Sequence, residues 1–431
     1  MYRIFFVFLF VINVAAGVWS SEAGASVLVP CGAMKQVDFW VANNPMGETV
    51  ILDGQKIKKL QRQMYATPTG LVELGAYPQK IRSKRIYPAL TDYSVLQGDV
   101  YCSGRLADAG YKQELQAETD AENLPKYLRP QYAVTVEHTD VRTLPESRGL
   151  FNSPEDREFD LLQETTLEVG EPVLILHRSR SGSFCYIQAC NYTGWVETTH
   201  LAVTERETWL DFLRPENFLV TTGARTYLPV GEKQLFCSLG TRLPWESREG
   251  TGYWLQLPTR DGAGNLAVKR YLLSDAQGWH DGYLPYTENN VVRLAWKFLD
   301  LPYGWGGLNE SQDCSGLVYA VYRTMGICLP RNADMQMLTA GQHKILEGKK
   351  YWQRLHTLNS LPTGSGVYMD GHCGIYIGSV EGRPYVIHAL GSYKRNGVKQ
   401  RVMQVVVSDF EWMLKSGNCF MERLLQAVSY R

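Results

Sequence analysis

Short strands dominate the middle of the chain and restrict the folds open to it. Between residues 129 and 205, apolar runs such as "YAVTVEH", "EPVLILHRS" and "SFCYIQAC" alternate with turn sequences such as "RSGS" and "NYTG". Alternating apolar residues suit half-buried strands, and clustered Gly, Ser and Asn suit tight turns. Roughly five or six short strands in a segment of this size predict a small barrel. Residues 206–283 have the same texture and predict a second one.

The rest of the chain divides around these two barrels. A chain of 431 residues is too long for one hydrophobic core, because single cores stop growing at about 250–300 residues. Residues 23–128 read as a stabilising segment without visible chemistry. From 284 to 431 the order is helix, helix and then antiparallel strands, which predicts an α+β domain. Its first helix should have Thr287 as N-cap, since apolar residues then recur on one face.

The N-terminal residues 1–22 have the layout of a cleaved export signal. Arg3 precedes an apolar stretch, and small residues follow it in "VAAGVWSS". An uncleaved membrane anchor is the alternative, although the stretch is short for a span. The sequence predicts a periplasmic or secreted protein without stable membrane insertion after cleavage.

Charge and cysteine usage narrow the function classes. The chain has 44 basic residues, counting Lys and Arg together, and 44 acidic residues, counting Asp and Glu together. Nucleic-acid binders instead show an excess of basic residues. No nucleic-acid partner is therefore expected. In an exported protein some of the nine cysteines should pair, with Cys31–Cys102 and Cys185–Cys190 as candidate pairs. No CxxC or HxxxH spacing points to a metal, and no cofactor is indicated.

Cys314 is the candidate nucleophile. It precedes the helix-patterned run "SGLVYAVYR", and a helix N-terminus together with a nearby imidazolium lowers the pKa of a thiol. Two of the eight histidines, His372 and His388, fall on predicted adjacent strands downstream, in "HCGIYIG" and "PYVIHALG". On spacing alone, a buried structural cysteine with two histidines bonded to backbone carbonyls is favoured, because free cysteine is among the most buried residues.

Five motifs reverse that preference. "YGWGG", "DCSG", "LPRNADMQ", "HCGIYIG" and "VIHALG", in this order, resemble the NlpC family of papain-like cysteine endopeptidases that cut bacterial cell-wall peptides. The barrel sequences resemble the two bacterial SH3-type barrels of one branch of that family, which also has an N-terminal stabilising segment. The resemblance implies a multidomain fold of two small all-β SH3-like barrels followed by an α+β papain-like cysteine peptidase domain.

The resemblance also implies roles for individual residues. Cys314 corresponds to the nucleophile, His372 to the general base and His388 to the group that orients this base. Asp313, Ser315 and Tyr303 correspond to residues that shape the substrate pocket. The backbone N–H of Cys314 would stabilise the tetrahedral oxyanion.

The implied substrates are peptidoglycan stem peptides or muropeptides, cut between γ-D-glutamate and the diamino acid. In this branch a carboxylate of the first barrel reads the free amine of an N-terminal L-alanine. Glu158 or Glu164 would be that carboxylate, with Tyr192 as its neighbour. The alternative is that both carboxylates are solvated surface charges.

Three departures from the family pattern concern specificity, one of which is "TGS" at Thr363 to Ser365 where the family usually has "PGD". Ala333 stands where the family often has serine, which would remove one contact to the substrate amine. Cys373 replaces an aliphatic residue and, by strand alternation from His372, should point away from the site.

Two other functions remain open on the sequence. One is a non-enzymatic peptidoglycan-binding protein that uses the peptidase-like domain as a scaffold. The other is an amidase or acyltransferase that uses the same thiol. A scaffold has no physical need for a thiol and two imidazoles in this arrangement.

Overall fold

The computed structural model describes residues 32–395, 397–413 and 418–431. The expected export signal and Cys31 lie outside the described residues. No helix in these ranges is long and apolar enough to cross a membrane. The N-terminal segment consists of helices and two-residue strands: α1 Val37–Ala42, α2 Gly54–Ala66, β1 Ile81–Arg82, α3 Tyr87–Leu90, β2 Tyr101–Cys102, β3 Arg105–Leu106, α4 Ala109–Glu118 and β4 Tyr127–Leu128.

An antiparallel sheet forms the first barrel. Its apolar residues alternate along the strands, so that Ala133, Val173, Ile187 and Val196 share one buried cluster. The strands of this region are β5 Gln131–Thr135, β6 Thr139–Arg142, β7 Leu150–Phe151, β8 Gln163–Leu167, β9 Pro172–Arg178, β10 Phe184–Gln188, β11 Thr193–Glu197 and β12 Leu201–Val203. Seven of them follow the order β12-β5-β9-β10-β11-β6-β8, while β7 pairs with β2 of the N-terminal segment.

A second β-rich unit follows a short helix, α5 Arg206–Leu213. Its strands are β13 Phe218–Thr221, β14 Arg225–Val230, β15 Lys233–Ser238, β16 Arg242–Glu249, β17 Gly252–Arg260, β18 Leu266–Leu273 and β19 Trp279–Asp281. They form a five-stranded sheet, β18-β17-β16-β13-β19, and the hairpin β14-β15. Trp209 of α5 donates its indole N–H to the carbonyl of Val173 (3.1 Å) and so packs on the first barrel. The boundary at residue 206 stays a prediction.

The C-terminal residues form the expected α+β layout. The helices are α6 Glu288–Trp296, α7 Cys314–Arg323, α8 Ala333–Leu338, α9 Tyr351–Asn359 and α10 Phe420–Arg423. The strands are β20 Gln342–Ile345, β21 Gly366–Met369, β22 His372–Val380, β23 Arg383–Arg395, β24 Val398–Ser408 and β25 Gln426–Ser429, in the order β20-β25-β21-β22-β23-β24. Thr287 caps α6 as predicted, since its hydroxyl accepts from the N–H of Asn290 (3.1 Å).

Helix α7 packs one apolar face on the sheet. Leu317, Val318 and Val321 share a buried cluster with Ile375 of β22 and Ile387 of β23. Burial of these side chains removes a large apolar area from water and fixes the helix against the two strands that carry the histidines. The predicted antiparallel pairing of "HCGIYIG" with "PYVIHALG" is confirmed.

A buried carboxylate joins both barrels to the C-terminal end of α7. Glu168 follows β8 of the first barrel and accepts hydrogen bonds from Ser238 (2.6 Å) and Thr241 (3.1 Å) of the second unit. Its other partners are His138 (3.1 Å) and Arg323 of α7 (3.2 Å). Burial opposes ionisation, yet His138 and Arg323 hold the pKa of the Glu168 carboxyl well below its usual value.

Candidate active site

The start of α7 presents the Cys314 thiol. Asp313 is the N-cap, because its Oδ1 accepts the N–H of Gly316 (2.7 Å). Cys314 is the first helical residue, as predicted, and it is nine-tenths buried. A thiol at this position lies next to the unpaired N–H groups of the first turn, which favour negative charge.

The surroundings of Cys314 favour its thiolate. The Cys373 thiol donates a hydrogen bond to Cys314, and His372 contributes a second hydrogen bond and its charge. Together they outweigh the effect of burial and hold the pKa of Cys314 well below its usual value. Because the nucleophile is the thiolate, these two neighbours prepare Cys314 for attack on a carbonyl carbon.

Cys373 does not point away from the site, so the expectation from strand alternation was wrong. It lies in the buried cluster on the α7 side of the sheet together with Cys314. His372 begins the strand on the opposite face, where its ring contacts Trp412 and Phe420. His372, the first residue of β22, nevertheless forms a side-chain hydrogen bond with Cys314. Burial and the hydrogen bond to Cys314 raise the pKa of Cys373, which keeps it a thiol and a donor.

A chain of hydrogen bonds runs back from His372 into the core. His372 Nε2 lies 2.7 Å from His388 Nδ1, and His388 Nε2 lies 3.0 Å from the Ser408 hydroxyl. Ser408 in turn donates its O–H to the carbonyl of Asp409 (2.9 Å). The three side chains thus link the thiol to a fixed backbone acceptor.

The last bond of this chain sets the proton positions. The Ser408 hydroxyl donates its only hydrogen to the carbonyl of Asp409. The hydroxyl oxygen must therefore accept the Nε2–H of His388. Burial, followed by the charge of His372, lowers the pKa of His388 well below its usual value, so this ring is neutral. Its Nδ1 is therefore an acceptor and takes the Nε2–H of His372. The remaining nitrogen of His372, Nδ1, is left for the thiol of Cys314.

Gly374 is required by this packing. A Cβ at this position would lie 2.6 Å from Val386 Cγ2 and 2.8 Å from His388 Cβ, closer than real contacts allow. The glycine of "HCGIYIG" therefore lets the two strands bring His388 against His372.

Arg331 organises the other side of the nucleophile. It makes a bidentate ion pair with Asp313 (3.1 and 2.6 Å) and donates to the hydroxyl of Ser315 (2.9 Å). Its Nε donates to Thr165 of β8 (2.7 Å). The residue pair predicted to shape the pocket, Asp313 and Ser315, is thus held by an arginine that the sequence analysis did not single out, although it stands in "LPRNADMQ".

The glycine loop before Cys314 is built to meet the first barrel. Gly306 has a positive φ of 56°, and a Cβ there would lie 2.7 Å from Gln163 Cγ. Gln163 donates to the carbonyl of Gly306 (3.0 Å), and the N–H of Gly306 donates to Asp313 (3.0 Å). Tyr303 precedes this loop, and burial followed by the charge of the Cys314 thiolate raises the pKa of its phenol. The structure therefore places Tyr303 beside the nucleophile.

A cavity of about 520 Å³ opens between the first barrel, the N-terminal segment and α8. Glu164 lies in its wall, where Tyr192 and Thr143 each donate a hydroxyl hydrogen bond to a different oxygen of the carboxylate. Arg331 also lines the cavity, so that one side chain connects it to Asp313 beside the thiol. Further lining residues are Pro68, Gly70, Ala89, Asp92, Asn191, Asn332 and Met335.

The structure separates the two candidate carboxylates. Glu158 does not line this cavity and forms an ion pair with the exposed side chain of Arg401 on β24. Phe159, the residue after Glu158, packs its ring against that of Trp305. Glu158 is thus the solvated surface charge, whereas Glu164 lies with Tyr192 in the cavity. Ala333 starts α8 and packs against the main core.

The cysteine pairing expected in the first barrel was also wrong. Cys185 is buried in the barrel core and does not pair with Cys190. Cys190 instead lies with its sulfur 3.4 Å from that of Cys328, across the boundary to the peptidase-like domain. Among the described residues, no group of three or more His, Cys, Asp or Glu side chains converges to hold a metal ion.

A thiol at the start of a helix, packed on an antiparallel sheet that supplies two bonded histidines, defines a papain-like cysteine peptidase fold. Residues 300–411 match the model of the NlpC/P60 family, and residues 149–197 match that of the SH3 domain of the SH3b1 type. The chain thus carries an NlpC/P60 family domain preceded by a bacterial SH3-type barrel, as the sequence motifs predicted.

Solved and curated proteins agree with this assignment. The fold is similar to that of an NlpC/P60 endopeptidase from Photobacterium damselae subsp. piscicida, with a TM-score of 0.77 and 18% identity over 94% of this chain and 99% of the other. The γ-D-glutamyl-L-lysine dipeptidyl-peptidase of Bacillus subtilis (strain 168) is 29% identical over 192 residues, 43% of this chain and 57% of the relative. A protein of the same name from Bacillus cereus is 29% identical over 157 residues, 34% of this chain and 43% of its own. The chain spans about half the length of the curated relatives it matches.

Proposed function

We propose that the protein is an exported cysteine endopeptidase that hydrolyses the bond between γ-D-glutamate and the diamino acid of peptidoglycan stem peptides with a free N-terminal L-alanine. The observation that carries this proposal is the hydrogen-bonded series from Cys314 through His372 and His388 to Ser408, set beside the cavity that contains Glu164. The names of the relatives in Bacillus support the same bond type.

The geometry supports a two-stage acyl transfer. The thiolate of Cys314 attacks the γ-carbonyl carbon of the glutamyl residue, and the N–H groups at the start of α7 stabilise the resulting oxyanion. His372 gives its Nδ1 proton to the leaving amine of the diamino acid, which leaves a thioester. His372 then takes a proton from water, whose oxygen attacks the thioester and releases the peptide acid. His388 keeps the imidazole oriented through both stages.

The cavity accounts for recognition of a free amine. A carboxylate offers about four acceptor positions, and Thr143 and Tyr192 use one on each oxygen of Glu164. One position on each oxygen is left for the ammonium group of an N-terminal alanine. Such a charge-assisted hydrogen bond requires a substrate that ends at this point.

Glu164→Gln should weaken capture of the free amine. With L-Ala-γ-D-Glu-diaminopimelate, we expect KM to rise about 10- to 100-fold, because the amide has no charge to oppose the ammonium. The N-acetylated peptide should be a poor substrate of wild type and variant alike. The measurement is steady-state kinetics of diaminopimelate release by the purified mature protein.

Glu158→Gln is the matched control, since it makes the same change in the same barrel outside the cavity. Its KM should equal that of wild type. Equal cleavage of free and acetylated peptides by wild type would contradict the role of Glu164, and no cleavage of either would contradict the peptidase proposal in favour of a binding module.

Ser408→Ala should raise the pKa of the catalytic thiol. Without the hydroxyl oxygen, His388 loses the acceptor that fixes its tautomer, and the imidazolium of His372 loses a firm partner. In the folded protein the pKa of Cys314 is lowered, and the thiolate is the main form above this pKa. Weaker stabilisation of the thiolate by His372 moves the pKa of Cys314 upward. The pH midpoint of alkylation by iodoacetamide should rise by about one unit. Ser408→Thr keeps the hydroxyl and should restore the midpoint, and a lower melting temperature of Ser408→Ala with an unchanged midpoint would indicate a purely structural role.

A further inference from the structure

Cys190 and Cys328 face each other across the boundary between the first barrel and the peptidase domain. Cys190 follows β10 of the first barrel, and Cys328 lies in the stretch between α7 and α8 of the peptidase domain. Their sulfur atoms are 3.4 Å apart although the residues are 138 positions apart in the chain. A disulfide needs about 2.05 Å between sulfurs, so the two thiols need only a small adjustment to bond.

The backbone on both sides is already fixed for this contact. The side chain of Gln61 accepts the N–H of Cys328 (2.8 Å) and donates to its carbonyl (3.1 Å). The carbonyl of Cys190 accepts the N–H of Val72 (2.7 Å), and Asn191 donates to the carbonyl of Leu329 (3.4 Å). These bonds hold the main chain next to both sulfurs, so we expect a cross-link to form by adjustment of the two side chains.

An oxidant can reach the pair. Cys190 and Cys328 are both half-buried and line a cavity of about 210 Å³ with Tyr65 and Tyr319. The hydrogen bond to Cys190 and burial raise the pKa of Cys328, which keeps Cys328 in its thiol form.

We propose that Cys190 and Cys328 form a disulfide that clamps the first barrel to the peptidase domain. With glutathione disulfide as oxidant, the Cys190 thiolate attacks one sulfur and releases one glutathione thiolate. Cys328 then attacks the Cys190 sulfur of the mixed disulfide and releases the second. Two protein thiols are oxidised, one glutathione disulfide is reduced, and the two thiol protons end on the two glutathione molecules.

The clamp would set the width of the cavity that contains Glu164. Asn191 and Tyr192 directly follow Cys190, while Arg331 and Asn332 closely follow Cys328, and all four line that cavity. A disulfide between Cys190 and Cys328 would hold Tyr192, on the barrel side of the cavity, at a constant distance from Arg331 on the peptidase side. Arg331 is the residue that is bonded to Asp313. This consequence for substrate binding rests on the proposed function, but the existence of the bond does not.

The first experiment maps the bond without using activity. The Cys314→Ala protein, which lacks the reactive thiol, is incubated with glutathione disulfide, alkylated, digested and analysed by mass spectrometry without reductant. We expect one cross-linked peptide pair containing Cys190 and Cys328, and a melting temperature about 5 °C higher than after reduction. Cys190→Ser or Cys328→Ser should abolish both effects, whereas the control Cys185→Ser, in the same barrel, should keep both.

Alkylation of both Cys190 and Cys328 after oxidation would overturn the proposal.

The second experiment compares wild-type kinetics before and after mild reduction. KM for the free-amine peptide should rise about three- to tenfold on reduction, with kcat changed less than twofold, and Cys190→Ser should show the higher KM in both states. An unchanged KM in a protein with the mapped bond would overturn the clamping of the cavity and leave the peptidase proposal intact.

Discussion

Cys314→Ala should lower kcat for the free-amine stem peptide by at least about 10⁴-fold. The side chain that attacks the carbonyl is then absent, and His372 has no thiol to deprotonate. The helix cap by Asp313 and the pair His372–His388 do not depend on the sulfur. The free energy of unfolding should therefore change by no more than about 1 kcal/mol, which circular dichroism during urea titration can check.

Cys419→Ala provides the matched control for this loss. Cys419 is a half-buried cysteine of the same domain at the start of α10, and its removal should leave kcat within about twofold of wild type. Measurable cleavage by Cys314→Ala at more than about one-hundredth of the wild-type rate would mean that another group is the nucleophile.

Arg331→Ala should be the most destabilising single change near the site. Asp313 and Arg331 are both more than nine-tenths buried and paired through two hydrogen bonds. Removal of the arginine leaves a buried carboxylate without its counter-charge, which costs about 3–5 kcal/mol of folding free energy. The substitution also removes the two bonds that hold Asp313, the N-cap of α7, beside Cys314. We therefore expect kcat to fall as well. Urea unfolding monitored by tryptophan fluorescence gives the change.

Arg401→Ala breaks an ion pair of the same type that lies in solvent. The side chains of Arg401 and Glu158 are 65% and 34% exposed, and exposed pairs contribute about 0–1 kcal/mol. This variant should unfold at nearly the wild-type urea concentration. Similar destabilisation by the two variants would contradict the assignment of burial as the cause.

The local sequence patterns predicted the framework of the site. The N-cap at Thr287, the position of Cys314 in the first turn of a helix and the pairing of the two histidine strands all follow from short-range periodicity, and each is confirmed. The motifs in their order also predicted the fold of the barrels and the peptidase domain. Short-range rules succeed here because hydrophobic faces and caps depend on residues three or four positions apart.

The contacts between distant segments were not predictable in this way. Ser408 lies 20 positions after His388 on another strand, and nothing near it in the sequence marks it as a hydrogen-bond partner. Cys373 takes the face opposite to His372, as alternation predicts, but the start of α7 covers that face, so Cys373 lies at the site. Which of Glu158 and Glu164 lies beside Tyr192 depended on the path of the barrel strand, since both are acidic residues in polar surroundings.

Helix α7 is held to the first barrel at both of its ends. Near its start Arg331 joins Asp313 to Thr165, and at its end Arg323 meets Glu168, three positions farther along the same barrel segment. A peptidase domain separated from the barrel would leave Arg331 without Thr165 and Arg323 without Glu168. The NlpC/P60 domain of this chain is therefore not an interchangeable module, and engineered fusions should transfer it together with its first barrel.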